Sequence, residues 1–213
     1  TAFTVVGAVV GSGLSYGNAI QFGSLGSVVS YWIVITFVAT GLSFALAKIL
    51  RYYTDKESSQ KKIKYLTLLL GIFVAYTSGA NSVGLAVGPL QSLNFSLFVL
   101  LLLGSISILV GALIFSPKIV DAVSFEYSNI GPRRSAAGLA TAVILAQIGV
   151  FLGIPISFNE VVIFSVIGSG MVVGKSNVGA KKLGYTVGAW ISSFFVAIFA
   201  TYCLGEVLQY LLA

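Results

Sequence analysis

The sequence predicts an all-α polytopic membrane protein, built from inverted-topology repeats with broken helices and re-entrant hairpins. Three observations carry that prediction. Of 213 residues, 57% are hydrophobic and only 8% are charged. A soluble domain carries about 25% charged residues, so this chain cannot present a solvated surface on all sides. Its apolar runs reach spanning length, and short polar loops with their adjoining helix ends hold every basic residue. Its opening residues also resemble a stretch close to its end.

Residues 1–16, TAFTVVGAVVGSGLSY, form an apolar run shorter than the about 20 residues a span needs. An uncharged, glycine-bearing connector follows over 17–24. Residues 25–49 are long enough to cross, and Trp32 reads as an anchor at the membrane interface. Residues 50–64 form a charged loop. The run 65–90 crosses next as a helix broken at Gly79-Ala80-Asn81, and Gly88-Pro89 with Asn94 marks an uncharged turn. Residues 95–115 cross back, and 116–135 is a polar loop holding Lys118, Asp121, Glu126, Arg133 and Arg134. Two half-length apolar pieces, 136–152 and 161–174, hinge at 153–160. They read as a re-entrant hairpin over 136–174 or as a pair of tight crossings. A third basic loop, 175–182, leads into a last helix over 183–211. On this division 1–53 ends a first repeat, 54–64 is a linker, and 65–213 is a second repeat.

Charge sets the orientation. The three loops at 50–64, 116–135 and 175–182, with their helix ends, take all 12 lysines and arginines; the connectors near 17–24 and 90–94 and the C-terminus take none. Basic residues mark the cytoplasmic side, which puts these three loops in the cytoplasm of a cell-membrane protein and its C-terminus outside. The net charge of +6 therefore belongs to topology. With no aromatic interleaving and no recognition motif, it does not point to nucleic acid. With no histidine and one cysteine, Cys203, the chain cannot build a histidine or thiolate metal site. No acidic pair stands at catalytic spacing either, so an enzyme is not expected. The first residue is Thr1, with no basic n-region before an apolar stretch, so no signal peptide is read there.

The internal repeat aligns Val9-Val10-Gly11-Ser12-Gly13-Leu14 with Val166-Ile167-Gly168-Ser169-Gly170-Met171, and Gly17 with Gly174. With one extra residue allowed, Trp32 aligns with Trp190, and these are the only two tryptophans. The loop after the first copy has no basic residue and the loop after the second has three, so the copies lie in opposite orientation. Inverted repeats place a solute site at their interface, built from discontinuous helices. Thr1 is then expected to follow a hairpin arm equivalent to 136–157, and the chain reads as the later two-thirds of a longer transporter.

Two polar stretches supply the site. In Ser78-Gly79-Ala80-Asn81-Ser82, a helix break would expose backbone N–H groups and the side chains of Ser78, Asn81 and Ser82, a ready anion site. Small residues also serve helix packing. In the second stretch, Pro155 disfavours helix at Ile154, and Ser157 and Asn159 are good N-cap types for the arm that follows. Glu160 is the only acidic residue between Glu126 and Glu206. At membrane depth it is a functional residue; at a tip reaching water it is a first-turn carboxylate favoured by the helix dipole. Gln147 suits a helix–helix hydrogen bond.

Ser78-Gly79-Ala80-Asn81-Ser82-Val83, followed by Ala86-Val87-Gly88-Pro89-Leu90, resembles the Gly-Ala-Asn-Asp signature of the inorganic phosphate transporter (PiT) family. Gly153-Ile154-Pro155-Ile156-Ser157, followed by Gly168-Ser169-Gly170, resembles that family's second signature, and Thr1-Ala2 through Gly13 resembles its tail in the first repeat. The resemblance implies a secondary transporter (symporter) of phosphate, or in some relatives sulfate, driven by sodium or protons and often a homodimer. It places Ser78, Gly79, Ala80, Asn81, Ser82, Ser157, Asn159 and Thr1 at the substrate. It places Asn81 and Ser82 at the coupling ion, with Glu160 as a substitute carboxylate. Two positions depart from the pattern: Ser82 stands where the family has aspartate, and Phe158-Asn159-Glu160 where it has Thr-Thr-His. A passive anion pore or non-transporting membrane subunit is the competing reading.

Overall fold

The computed structural model describes residues 2–53, 59–121, 127, 131–154, 156–174 and 179–212, and these form seven α-helices: α1 (Ala2–Ser15), α2 (Phe22–Tyr53), α3 (Ser59–Val87), α4 (Leu97–Asp121), α5 (Pro132–Leu152), α6 (Phe158–Met171) and α7 (Ala180–Leu212). Five of them, α2, α3, α4, α5 and α7, are long and apolar enough to cross a membrane. The two 14-residue helices α1 and α6 reach about 21 Å at 1.5 Å per residue, short of a hydrocarbon core of about 30 Å. The protein is an all-α integral membrane protein.

Large side chains point outward and small ones inward. Phe37, Phe98, Leu113 and Phe199 are exposed, whereas Ala39, Ser43, Ala136, Ala137, Ala142, Ser165 and Ser169 are buried. Lipid is as apolar as leucine, so helices associate through close backbone packing and hydrogen bonds, which small residues permit. The buried Ser43 Oγ donates to the Ser165 carbonyl at 2.6 Å, tying α2 to α6. Outside this core, α4 packs on α3 through Val83, Val87 and Leu100.

The main contacts cross between the two ends of the chain: α1 packs on α7, and α6 packs on α2. The two interfaces share a register. A Cβ on Gly11 would strike the backbone of Ile198, and a Cβ on Gly168 would strike the backbone of Thr40. Gly11 and Gly168 align in the internal repeat, as do Ile198 and Thr40 when the tryptophans are matched. The α2 seam runs Ala39, Ser43, Ala47, and the matching positions on α7 are Ala197, Thr201, Gly205. Each seam is therefore a row of small residues four apart, the spacing that keeps one helix face.

Helix directions collect the described basic residues at one end of the bundle. α5 and α6 run antiparallel, with Gly149 against Ile156 and Gly138 over Ser165. α2 and α6 run the same way, Ala39 grouping with Val161 and Ser43 with Ser165. The last turns of α2, with Lys48 and Arg51, thus share an end with the start of α5, with Arg133 and Arg134, and with the start of α7, with Lys181 and Lys182.

Four expectations need correction. The helix over 59–87 is unbroken at Gly79-Ala80-Asn81; regular α structure ends at Gly88, where a 3-10 turn runs through Gly88–Leu93. One glycine costs a helix only about 1 kcal/mol, whereas Pro89 lacks a donor and ends it. Arg133 and Arg134 lie in the first turn of α5 and not in a loop, because Pro132 is pre-set for the N1 position. That makes α5 21 residues long, a spanning length, where a half-length arm was expected. Trp32 is no interface anchor: it is buried, its ring 4.1 Å from that of Phe3, which also stacks on Trp190 at 5.8 Å. Thr1, Pro155, Glu126 and most of the basic loops at 54–58 and 175–178 lie outside the described residues.

Candidate functional site

The hinge between α5 and α6 sets the site. α5 ends at Gly153, whose φ of 63° lies in the left-handed region. Its N–H bonds to the Val150 carbonyl at 3.3 Å, and the Ile154 N–H bonds to the Gly149 carbonyl at 3.0 Å. This is a Schellman stop, which satisfies two carbonyls that a helix end otherwise leaves open. The chain then reverses so that the side chain of Ile156 fits over Gly149, where a Cβ would collide with it. Ser157 is the N-cap residue of α6, in extended conformation and without a capping side-chain hydrogen bond. Its hydroxyl remains available to a solute, and so does the positive end of the α6 dipole.

Asn81 approaches this hinge from α3. Its Nδ2 donates to the Ile156 carbonyl at 3.2 Å, joining residues 75 positions apart. Around that bond lies a cavity of about 20 Å³ lined by Ala2, Asn81, Ser82, Leu85, Ser157, Phe158 and Asn159. Such a volume holds about one water. Among the described residues of its lining there is no carboxylate and no cation; the polar groups are neutral amides and hydroxyls, which can both donate and accept. A second cleft of about 490 Å³ between α1, the start of α2 and the end of α3 is much larger, but it is walled chiefly by Val5, Val9, Leu25, Val28 and Leu85.

Of the residues expected at the substrate, Asn81, Ser82, Ser157 and Asn159 meet at the small cavity. Ser78, Gly79 and Ala80 do not line it: on the intact helix Ser78 shares the face of Asn81, Ser82 and Leu85 but stands one turn earlier, and Gly79 and Ala80 fall on other faces. Leu85, Phe158 and Ala2 were not anticipated. Leu85 follows Asn81 at helical spacing, and Ala2 is the repeat partner of Asn159, so both signals were present. Glu160 does not line the cavity, but it directly follows Asn159 and is only 4% exposed. Its Oε2 is buried with no hydrogen-bond partner among the described residues. It is not the solvated first-turn carboxylate of the simpler expectation. Gln147 stands on α5 nearly two turns before Gly153.

Residues 54–201 match the model of the phosphate transporter family. The chain belongs to that family. Within the phosphate transporter family and its neighbours, the chain is 29% identical over 209 residues to the sulfate permease CysP of Bacillus subtilis, covering 96% of this chain and 59% of that protein. It is 20% identical over 211 residues to a protein of Methanocaldococcus jannaschii named "Putative phosphate permease", covering 96% and 66%. A protein of the same name from Chlamydia muridarum is 23% identical over 160 residues, covering 65% and 37%. The chain therefore spans less than two-thirds of the length of these relatives. No solved structure matches it significantly.

Proposed function

We propose that this chain forms the solute-handling core of a secondary transporter that carries a tetrahedral inorganic oxyanion, phosphate or sulfate, by alternating access between inverted-topology repeats. The observation that carries the reading is the hydrogen bond from Asn81 to the Ile156 carbonyl, with the shared cavity around it. Two motifs far apart in sequence supply opposite walls of one polar site. Their chemistry suits an anion: amide and hydroxyl donors beside a helix N-terminus, with no carboxylate among the described lining residues to repel it.

The size of the cavity supports alternating access. A space for about one water cannot hold an ion with four oxygens, so solute entry requires α3 and the hinge to part and the Asn81–Ile156 bond to open. The reciprocal packing of α1 on α7 and α6 on α2 supports the repeat reading, because the two seams use aligned residues. The charged helix ends support a cytoplasmic assignment for the basic end of the bundle. The match to a family named for phosphate and to a relative named a sulfate permease leaves the two ions to be separated by assay.

The test is uptake of labelled phosphate and labelled sulfate by the full-length protein in proteoliposomes. Asn81→Ala and Ser157→Ala are each expected to lower uptake at least tenfold while membrane insertion is unchanged. Normal uptake in both variants would remove the site assignment, and gradient-insensitive flux would favour a passive pore.

A further inference from the structure

Glu160 is a buried carboxyl group that the oxyanion site does not use. It sits in the first turn of α6, directly after Ser157 and Asn159 of the cavity lining. α2, α5 and α3 pack on α6, and Leu183 and Trp190 of α7 pack with Tyr127 on its later half, around Ile163, Val166 and Ile167. Its Oε2 has no partner among the described residues. An ionised carboxylate so placed would sit in apolar surroundings without the pairing that buried charges need.

The charged groups on the surrounding helices all lie elsewhere. On α5, the antiparallel pairing of Gly149 with Ile156 and Gly138 with Ser165 sets the stretch around Leu145 opposite Glu160. Arg133 and Arg134 fall beyond Ser165, at the far end of α6. On α2, Ala39 groups with Val161 and Ser43 with Ser165, so Lys48 and Arg51 lie past Ser165 at that same far end. Along α3, Asn81 meets Ile156, and the nearest cation, Lys64, is 17 residues earlier, about 25 Å along a helix. The phenols at comparable levels, Tyr31 on α2 and Tyr76 on α3, are both exposed. Among the described residues, no countercharge faces Glu160 from α2, α3 or α5, and the cations of α7, Lys181 and Lys182, lie next to Leu183 at the far end of α6.

We infer that Glu160 is a proton-binding site whose proton travels with the oxyanion, which makes this transporter proton-coupled at a residue outside the anion cavity. The inference rests on the transport reading above and deepens it. A hydronium ion on the outer side gives its proton to the carboxylate of Glu160 and leaves as water. The neutral acid stands in the closed state, where no cation balances the group. When the hinge opens inward, water takes the proton back and the carboxylate is restored. One proton moves per cycle, and it offsets one negative charge of the ion carried. A neutral carboxylic acid also removes the repulsion that a carboxylate next to Asn159 would exert on an arriving anion.

The experiment uses the full-length protein in proteoliposomes with labelled sulfate and labelled phosphate. Each is tested under an inward proton gradient, an inward sodium gradient and no gradient, with a pH-sensitive dye inside. The wild type is expected to accumulate one of the two ions at least tenfold faster under the proton gradient, with internal acidification when the ion is added. In Glu160→Gln, the ratio of proton-driven uptake to ion exchange is expected to fall at least tenfold, and the acidification is lost; Glu160→Asp, which keeps a carboxyl, restores part of both. Proton-driven accumulation by Glu160→Gln at the wild-type ratio overturns the proposal, and so does uptake driven by sodium alone. Should Glu160→Gln fail to fold, proton uptake on ion binding is read in the wild type from the dependence of binding heat on buffer. Close to one proton per ion supports the proposal, and none overturns it. Failure to transport or bind either ion would instead remove the transport reading itself.

Discussion

Replacing Gly168 by alanine tests a close backbone contact between α6 and α2. The added Cβ would lie 2.8 Å from the Cα of Thr40 and 2.9 Å from its carbonyl carbon, and would overlap its carbonyl oxygen. Ordinary carbon contacts are about 3.5–4.0 Å. Backbone cannot rotate out of the way as a side chain can, so α6 must retreat from α2 by about 0.7–1.2 Å to reach ordinary contact. The Ser43 to Ser165 hydrogen bond, 2.6 Å long and buried, would stretch to the limit of a hydrogen bond, about 3.5 Å. Overpacking costs about 1–3 kcal/mol, and the weakened bond about 1 kcal/mol more, which gives about 2–4 kcal/mol in all. The assay is unfolding of the purified full-length protein by sodium dodecyl sulfate in mixed micelles, followed by tryptophan fluorescence. Gly41→Ala is the control, since a Cβ there meets nothing within 4 Å, and alanine favours helix by about 1 kcal/mol. Gly11→Ala, against Ile198, is expected to match Gly168→Ala. If Gly168→Ala unfolds at the same detergent fraction as Gly41→Ala, the seam is not close-packed and the reasoning fails.

Gly153→Val should destabilise the protein by about 2 kcal/mol in the same assay, because a β-branched residue is forced into the left-handed region, and a midpoint within error of the wild type would refute the Schellman hinge. Trp32→Ala should cost about 3 kcal/mol or more as a buried aromatic, while Phe37→Ala, on the exposed face, should leave the midpoint unchanged.

Much of this architecture was legible in the chain. The long apolar runs marked α2, α3, α4 and α7 with ends off by up to six residues, since a bilayer demands length and apolarity before anything else; 59–64, read as loop, begins α3. The polar interruption at 153–160, with Pro155 in it, marked the hinge between two apolar pieces. The supposed break at Gly79-Ala80-Asn81 was misread for a physical reason: the small polar residues that line a broken helix also line the polar face of an intact one. Only Gly88-Pro89 removes a donor from the helix, and that is where it ends. Trp32 was misplaced because tryptophan suits an interface and an aromatic core equally well; its contact with Phe3 depends on a helix distant in sequence. The same holds for Glu160. Its type was visible, but its burial depends on α2, α3 and α5 closing around it.

The pairing of α1 with α7 has a consequence for how the protein is made. Ser15 at the end of α1 accepts a hydrogen bond from Gln209 at 2.7 Å, and the two are 194 residues apart. At about 5–20 residues per second, the ribosome needs about 10–40 s to supply that partner. During this interval α1, too short to span, carries Gly7 and Gly11 with nothing to pack against. Bilayer insertion of the long helices can proceed as each emerges, but the docking of α1 must await α7. A ribosome stalled before residue 198 would therefore leave a chain in which α2 to α6 are complete, α7 is truncated and α1 is undocked, a ready substrate for membrane quality control.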